Sequence, residues 1–171
     1  CHGTPSKNLL IRYLNDNNVD LKFSVNLKFR IKNKFRIFVN DNPVQNTKLL
    51  DSYMFTFLRG MNYTYNCYTC TYAGEDRISD ITLGDSWGSD LDENEKKLGI
   101  SLALCQTKKG KQLLEESNLN LFSVNKNIAK QNNKQLVSPM KKTNKRNIFF
   151  KYIKKNVSYS NAAYKADKIV G

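Results

Sequence analysis

Two cysteines, Cys67 and Cys70, frame a C-x-x-C pair in the segment NCYTC. That spacing lets two thiolates bind one soft metal ion or one edge of an iron-sulfur cluster. The same pair also occurs in structural zinc sites and redox dithiols, and it supplies half of the ligands that a structural zinc or a cubane cluster takes. The remaining ligands must come from elsewhere. Cys105 closes the apolar run ISLALC, which suits a core position, whereas Cys1 precedes a helix start at Thr4-Pro5-Ser6. Backbone N–H groups and the helix dipole favour a thiolate there. A small buried residue is the competing reading of Cys1, and His2 reads as a surface imidazole. Because the pair needs partners and Cys1 is the other thiol outside an apolar run, the sulfurs of Cys1, Cys67 and Cys70 are expected to converge, with Cys105 apart.

Downstream of the pair, a strand-like run from Ile78 to Leu83 stops in the turn Gly84-Asp85-Ser86-Trp87-Gly88. A strand ending in glycines lets backbone approach a ligand closely. Residues 66–88 therefore form the expected cluster and cofactor loop. Gly84, Asp85, Trp87 and Gly88 are the expected lining of a cavity at the carboxyl end of that strand, on the side of the thiols. An ordinary tight turn with Trp87 as a core plug is the other reading.

The elements that must position these residues follow from periodicity. Ser6 is a good N-cap, and Leu9, Leu10, Tyr13 and Leu14 make an apolar stripe, so a helix follows the Cys1 segment within residues 1–20. Leu21 to Val39 alternates as two strands, LKFSVNLKFRI and FRIFV, with Lys22, Lys28, Arg30 and Lys32 on one face. Such a face has the charge to neutralise a pyrophosphate, although the wet side of a sheet is the commoner use. Tyr53, Phe57 and Leu58 within the apolar run Leu49–Met61 have helical spacing and read as core. Ser89 to Lys97 reads as an acidic linker, Gly99 to Gln106 as a buried strand, and Thr107 onward as a helix start. Leu119 to Val124 is an expected strand, Asn125 to Gln135 a polar helix or loop, and Lys145 to Lys155 a helix; residues 158–171 read as a tail. The fold class expected is α/β, with α+β the alternative: one mixed sheet of the strands at 21–39, 78–83, 99–106 and 119–124, flanked by helices beginning near Ser6, Asp51, Lys109 and Lys145, in a single domain over residues 1–171.

Composition narrows the class. The chain has 171 residues, 40% hydrophobic and 25% charged, the balance of a soluble domain with a proper core. No apolar run approaches the roughly 18 residues of a membrane span and no signal segment opens the sequence, so a cytoplasmic location is expected. Four cysteines do not resemble a secreted disulfide framework, which fits a reducing compartment and metal-binding thiols. The first residue is Cys rather than Met, and the sequence reads as the C-terminal portion of a larger protein. Net charge is +13, distributed as +6 over residues 1–74, −5 over 75–99 and +12 over 100–171. Basic flanks can hold phosphate. No nucleic-acid-binding fingerprint accompanies them, so solvated lysines are the preferred reading and nucleic acid is not an expected partner.

Several blocks, in order, carry a resemblance: CHGTPS at Cys1 to Ser6, FRIK at Phe29 to Lys32, SYMFTFLRG at Ser52 to Gly60, CYTC at Cys67 to Cys70, RISDITLGDSWG at Arg77 to Gly88, GISLALCQTKKG at Gly99 to Gly110, and Pro139 with Lys145-Arg146-Asn147 and Phe149. Together they resemble the C-terminal domain of the coenzyme F420 hydrogenase/dehydrogenase beta-subunit family. The resemblance implies an electron-transfer iron-sulfur flavoprotein. Cys1, Cys67 and Cys70 would give three thiolates to a 4Fe-4S cluster, with the fourth ligand upstream, commonly beyond a ferredoxin-like domain. Arg30, Lys32, Gly84, Asp85, Trp87 and Gly88 are the implied cofactor-binding residues, and FAD with coenzyme F420 or another redox partner the implied cofactors. Cys105 stands where relatives carry Val or Ile. Many bacterial relatives accompany polysaccharide-synthesis enzymes, which implies that setting here. The sequence departs from the family after FRIK, where a Gly-Trp pair and several residues are missing.

Two functions from different classes remain in view. One is the flavin-dependent iron-sulfur oxidoreductase, whose isolated fragment would be inactive. The other is a non-catalytic zinc-containing basic module for nucleic acid, which leaves the motif order around SDITLGDSWG unexplained.

Overall fold

Helices outnumber strands in the computed structural model, which describes residues 3–24, 26–31, 34–47 and 50–169. In chain order the elements are α1 (Lys7–Asp16), β1 (Leu27–Lys28), β2 (Phe38–Val39), β3 (Asn42–Pro43), α2 (Ser52–Leu58), β4 (Ile81–Asp85), α3 (Glu93–Leu98), β5 (Ser101–Cys105), α4 (Lys108–Glu115), α5 (Lys126–Asn132), α6 (Asn144–Lys154) and α7 (Tyr159–Lys168). The fold class is α/β. Its strands form two small antiparallel sheets, β1-β2-β3 and β4-β5, in place of the single mixed sheet expected from the sequence. The described residues gather into two compact units: a split unit made of residues 3–68 and 141–169, and an inserted unit, Thr69–Met140.

The split unit is built on aromatic packing. Leu9, Tyr13 and Leu14 form the buried stripe of α1, and Tyr53 and Met54 that of α2. The rings of Tyr13, Tyr53 and Tyr159 meet at centroid distances of 5.4 to 5.7 Å, and Phe149 lies 5.2 Å from Tyr159. Each such pair adds roughly 0.5–1.5 kcal/mol beyond the area it buries. Asp51 caps α2 by accepting from the Met54 N–H at 2.7 Å, and its other oxygen accepts from the Ile37 N–H at 2.5 Å, which ties the hairpin to the helix. Asp16 at the end of α1 accepts from the Tyr159 N–H at 2.7 Å, so a carboxylate satisfies a free donor at the start of α7. Helix α7 occupies the expected tail. Its buried face is Tyr159, Ala162, Ala163 and Ala166, small enough for close approach to α1, α2 and α6.

The alternating run at Leu21–Val39 yields much shorter strands than its pattern suggests. The Asp20 side chain accepts from the Lys22 N–H at 2.9 Å, and its carbonyl accepts from the Ser24 hydroxyl at 2.7 Å, so the chain turns where a strand was expected. Phe23 is left 74% exposed. Asn40 and Asp41, at φ of 49° and 64°, make the two-residue turn between β2 and β3, a conformation these short polar residues tolerate.

In the inserted unit β4 and β5 pair with Ile81 opposite Cys105, Leu83 opposite Ala103 and Asp85 opposite Ser101. Leu102, on one face, packs with Ala129 of α5 and with Leu136. The expected strand at 78–83 begins three residues later and runs on to Asp85. Gly84 and Asp85 therefore lie inside a strand rather than in the turn beyond it, and Ser86 extends the ladder through its N–H to the Ile100 carbonyl at 3.0 Å. Residues 119–124 form no strand; Leu119, Leu121 and Phe122 are more than half exposed and find no neighbouring strand among the described residues. The acidic linker contains a helix, α3, because Asp92 caps two N–H groups and Glu93, Glu95, Lys96 and Lys97 follow its dipole.

Candidate metal centre

Cys67 sits in a single 3-10 turn, Tyr65–Tyr68, that follows the antiparallel bridge of Pro5 with Tyr63. The Thr64 N–H donates to the Thr4 carbonyl at 2.8 Å and the Ser6 N–H to the Asn62 carbonyl at 3.0 Å. This pairing brings the segment after Cys1 and His2 to the sulfur: the Thr4 N–H donates to Cys67 Sγ at 3.1 Å, with Thr64 Oγ1 at 3.4 Å from the same atom. Gly3 makes the pairing sterically feasible, since a Cβ at that position would run into the Tyr63 ring. Cys1 itself lies outside the described residues.

The turn is held from behind. The Tyr68 hydroxyl donates to the Gly60 carbonyl, and its ring centroid lies 6.0 Å from that of Tyr63. The Arg146 guanidinium stands 4.9 Å over the Tyr68 ring and 4.3 Å over that of Phe150, and it donates to the Met61 carbonyl at 2.7 Å. Burial raises the Tyr68 and Tyr63 hydroxyls above the ordinary tyrosine range, so both stay protonated and Tyr68 keeps its donor.

Cys70 lies in the inserted unit and is half-buried. Its carbonyl accepts from the Ala73 N–H at 3.3 Å. The loop that follows is latched: Arg77 donates through Nε to the Gly74 carbonyl at 3.0 Å and through Nη2 to the Gln135 carbonyl at 3.3 Å. Gln106 Nε2 donates to the Glu75 carbonyl at 2.9 Å. Lys126 and Lys130 reach the Glu75 carboxylate at 2.7 and 3.1 Å, and these hydrogen bonds hold it below the usual carboxylate range. A cavity of about 300 Å³ opens beside this loop, lined by Thr71, Gly74, Glu75, Asp76, Lys130 and Leu136 among others.

Gly84, Asp85, Trp87 and Gly88 are not among the residues that line it. Trp87 is 48% exposed, so it is no core plug. Gly88 has a φ of 73° and packs where a Cβ would meet the Asn132 side chain, so its glycine serves local packing. Arg30 is exposed, its guanidinium 5.7 Å over the Phe35 ring; Lys32 lies outside the described residues. Cys105 is exposed, not in the core, because it falls at the edge end of β5 opposite Ile81.

Among the described residues no three His, Cys, Asp or Glu side chains gather as metal ligands. The chemistry of the cysteine loop nonetheless suits a thiolate-bound group: a half-buried sulfur that already receives an N–H hydrogen bond is the surrounding in which cluster thiolates are stabilised. Sequence reasoning did not single out Thr4, Thr64 or Tyr68, and it placed Arg146 only inside a motif. No helix among the described residues is long and apolar enough to cross a membrane.

No curated protein and no solved structure matches the chain. A family model described as coenzyme F420 hydrogenase/dehydrogenase, C terminus of the beta subunit, matches residues 1–130. With that match over most of its length, beside the sequence blocks that frame Cys67 and Cys70, the chain belongs to the family formed by the C-terminal domain of the coenzyme F420 hydrogenase/dehydrogenase beta subunit.

Proposed function

We propose that this chain is the part of an electron-transfer iron-sulfur flavoprotein that gives Cys1, Cys67 and Cys70 to a 4Fe-4S cluster, with a fourth ligand from outside these three cysteines. The observation that carries the reading is the Thr4 N–H donated to Cys67 Sγ, which couples the segment following Cys1 to the first cysteine of the C-x-x-C pair. When bound, a cluster supplies one-electron transfer, and a flavin supplies the exchange between a hydride and single electrons.

The chain's own residues perform the supporting work. The Thr4 N–H donates to the Cys67 sulfur and the Thr64 hydroxyl lies 3.4 Å from it, so both hold that sulfur in place. Arg77 and Gln106 fix the loop that leaves Cys70. Arg30 and Lys32, with Gly84, Asp85, Trp87 and Gly88, are the residues proposed to meet a flavin or its phosphates. The expected physiological partner is a redox protein or a ferredoxin-like domain, in a cytoplasmic setting.

Anaerobic reconstitution with iron and sulfide, in a longer form of the protein that also carries the fourth ligand, tests the reading. Broad visible absorbance and iron uptake are expected in the parent, with loss in Cys1→Ala, Cys67→Ala and Cys70→Ala and retention in Cys105→Ala. Equal iron uptake in all four variants refutes the assignment, and a colourless protein that holds zinc through the same cysteines favours a structural metal module.

A further inference from the structure

Helix α6 lies beyond the residues that the family model matches, yet one of its side chains reaches the cysteine turn. We propose that Arg146 is a positioning residue for Cys67, acting through Tyr68. This inference rests on the cluster reading for its redox consequence but not for its geometry.

The contacts converge on one ring. Tyr68 directly follows Cys67, and it is fixed at its face by Arg146, at its hydroxyl by the Gly60 carbonyl and at its ring by Tyr63. Arg146 in turn lies against two ring faces, Tyr68 and Phe150, and holds the Met61 carbonyl, so its guanidinium spans from α6 to the strand-like segment that pairs with Thr4. Among the described residues no carboxylate pairs with Arg146. Its charge is left to the aromatic faces and the carbonyl, against the ring of the residue that directly follows Cys67. A planar guanidinium serves this arrangement better than an ammonium, because it stacks on a ring and donates in its plane at the same time.

The consequence for Cys67 is mechanical first. Thr4 reaches the sulfur only while the turn Tyr65–Tyr68 stays against the Pro5–Tyr63 bridge. Releasing the Tyr68 ring frees that turn and weakens the N–H···S hydrogen bond. It is electrostatic second: loss of a nearby cation disfavours the more negative, reduced form of a bound cluster, so the reduction potential falls.

Two readouts on the full chain test this. In the metal-free protein, amide hydrogen exchange at Thr4 is expected to be about tenfold faster in Arg146→Met than in the parent, on the scale of a cation–π contact. Arg146→Lys is expected to lie between them, and exchange at Ala162, buried in α7 of the same unit, is expected to stay unchanged. Equal Thr4 exchange in Arg146→Met and parent overturns the proposal, as does an equal acceleration at Thr4 and Ala162, which a general loss of packing would give. Should Arg146→Met fail to fold, Tyr68→Leu must produce the same selective acceleration, and its absence overturns the proposal equally. After reconstitution, the potential is expected to shift downward in Arg146→Met and to recover in Arg146→Lys; an unchanged potential refutes the electrostatic part. A parent that takes up no iron but shows the selective exchange effect refutes the cluster reading and leaves the positioning role standing.

Discussion

The Thr4 backbone N–H points at Cys67 Sγ from 3.1 Å across a separation of 63 residues. A hydrogen bond to a charged sulfur contributes on the order of 1.5–3 kcal/mol, more than an ordinary neutral one. Thr4→Pro removes the donor, and Thr64→Val removes the hydroxyl 3.4 Å from the same sulfur while keeping its shape. In reconstituted protein both substitutions are expected to lower the reduction potential, Thr4→Pro by more. Redox titration checks this, and a potential unchanged in Thr4→Pro would show that the contact does not act on the bound centre.

Asp51 gives the stability of the split unit a definite pH signature. It is fully buried, and burial raises its carboxyl above the ordinary aspartate range despite the N–H groups of Met54 and Ile37 that it accepts. For an acid raised in the folded state, the folded form binds the proton more tightly than the unfolded chain. The contribution is therefore fully present below the unfolded value of about 4 and is lost as pH rises through the raised folded value. Asp51→Asn keeps one acceptor and does not titrate. Its unfolding free energy is expected to be lower than the parent's by about 1–2 kcal/mol at acid pH, for one lost hydrogen bond, with the gap narrowing as pH rises. Denaturant melts across pH measure this, and a gap that widens with pH would contradict it.

Helix α7 tests the packing of the split unit. Ala162 is wholly buried where α7 meets its neighbours, so Ala162→Leu must displace side chains in a filled core. Overpacking of this kind costs roughly 1–3 kcal/mol, which lowers Tm by about 2–4 °C for each kcal/mol in a chain of this size. Thermal unfolding followed by circular dichroism gives the value; an unchanged Tm would mean that α7 is not packed as described.

At Gly110 the usual preference is reversed. It sits within α4, where alanine ordinarily gains about 1 kcal/mol over glycine. A Cβ there would collide with the Asp80 carbonyl, and backbone cannot swing aside as a flexible side chain can. Gly110→Ala is therefore expected to destabilise the β4–β5 pair, seen as faster amide exchange at Leu102 to Leu104. Slower exchange would show that the propensity gain prevails.

These elements show what the sequence revealed and what it concealed. The Ser6 helix start, the helix start near Asp51 and the amphipathic α6 were legible because each depends on residues within one or two turns of one another. The strand-like alternation from Leu21 was overridden by the Asp20 turn. Helix α7 was hidden because its buried face is mostly alanine, which gives a weak periodic signal. At the site, C-x-x-C was legible as a pattern, whereas Thr4 and Arg146 act through contacts 63 and 85 residues away in the chain, which no local spacing encodes.

The loop that leaves Cys70 is fastened by a single side chain to two carbonyls. Arg77 spans Gly74 at 3.0 Å and Gln135 at 3.3 Å, and the Gly74 N–H itself donates to the Gln135 carbonyl at 3.0 Å. Arg77→Met keeps much of the aliphatic stem and removes both donors, while the backbone bond can persist. Since an individual hydrogen bond contributes about 0.5–1.5 kcal/mol net, the change in global stability is expected to be modest. The local effect is larger, because the loop between Cys70 and Arg77 then has one fastening fewer and a ligand on a looser loop loses more entropy when it binds metal. Arg77→Met is thus expected to take up iron but to lose it faster to a chelator, by several-fold, with Tm reduced by only a few degrees. Arg77→Lys, which can donate to one carbonyl but not reproduce the fork, is expected to fall between them. The comparison is iron retained per chain after timed exposure to chelator. Retention equal to the parent in Arg77→Met would separate the latch from the cysteine chemistry, and a loss matched by an equal collapse of Tm would reduce it to general support of the inserted unit.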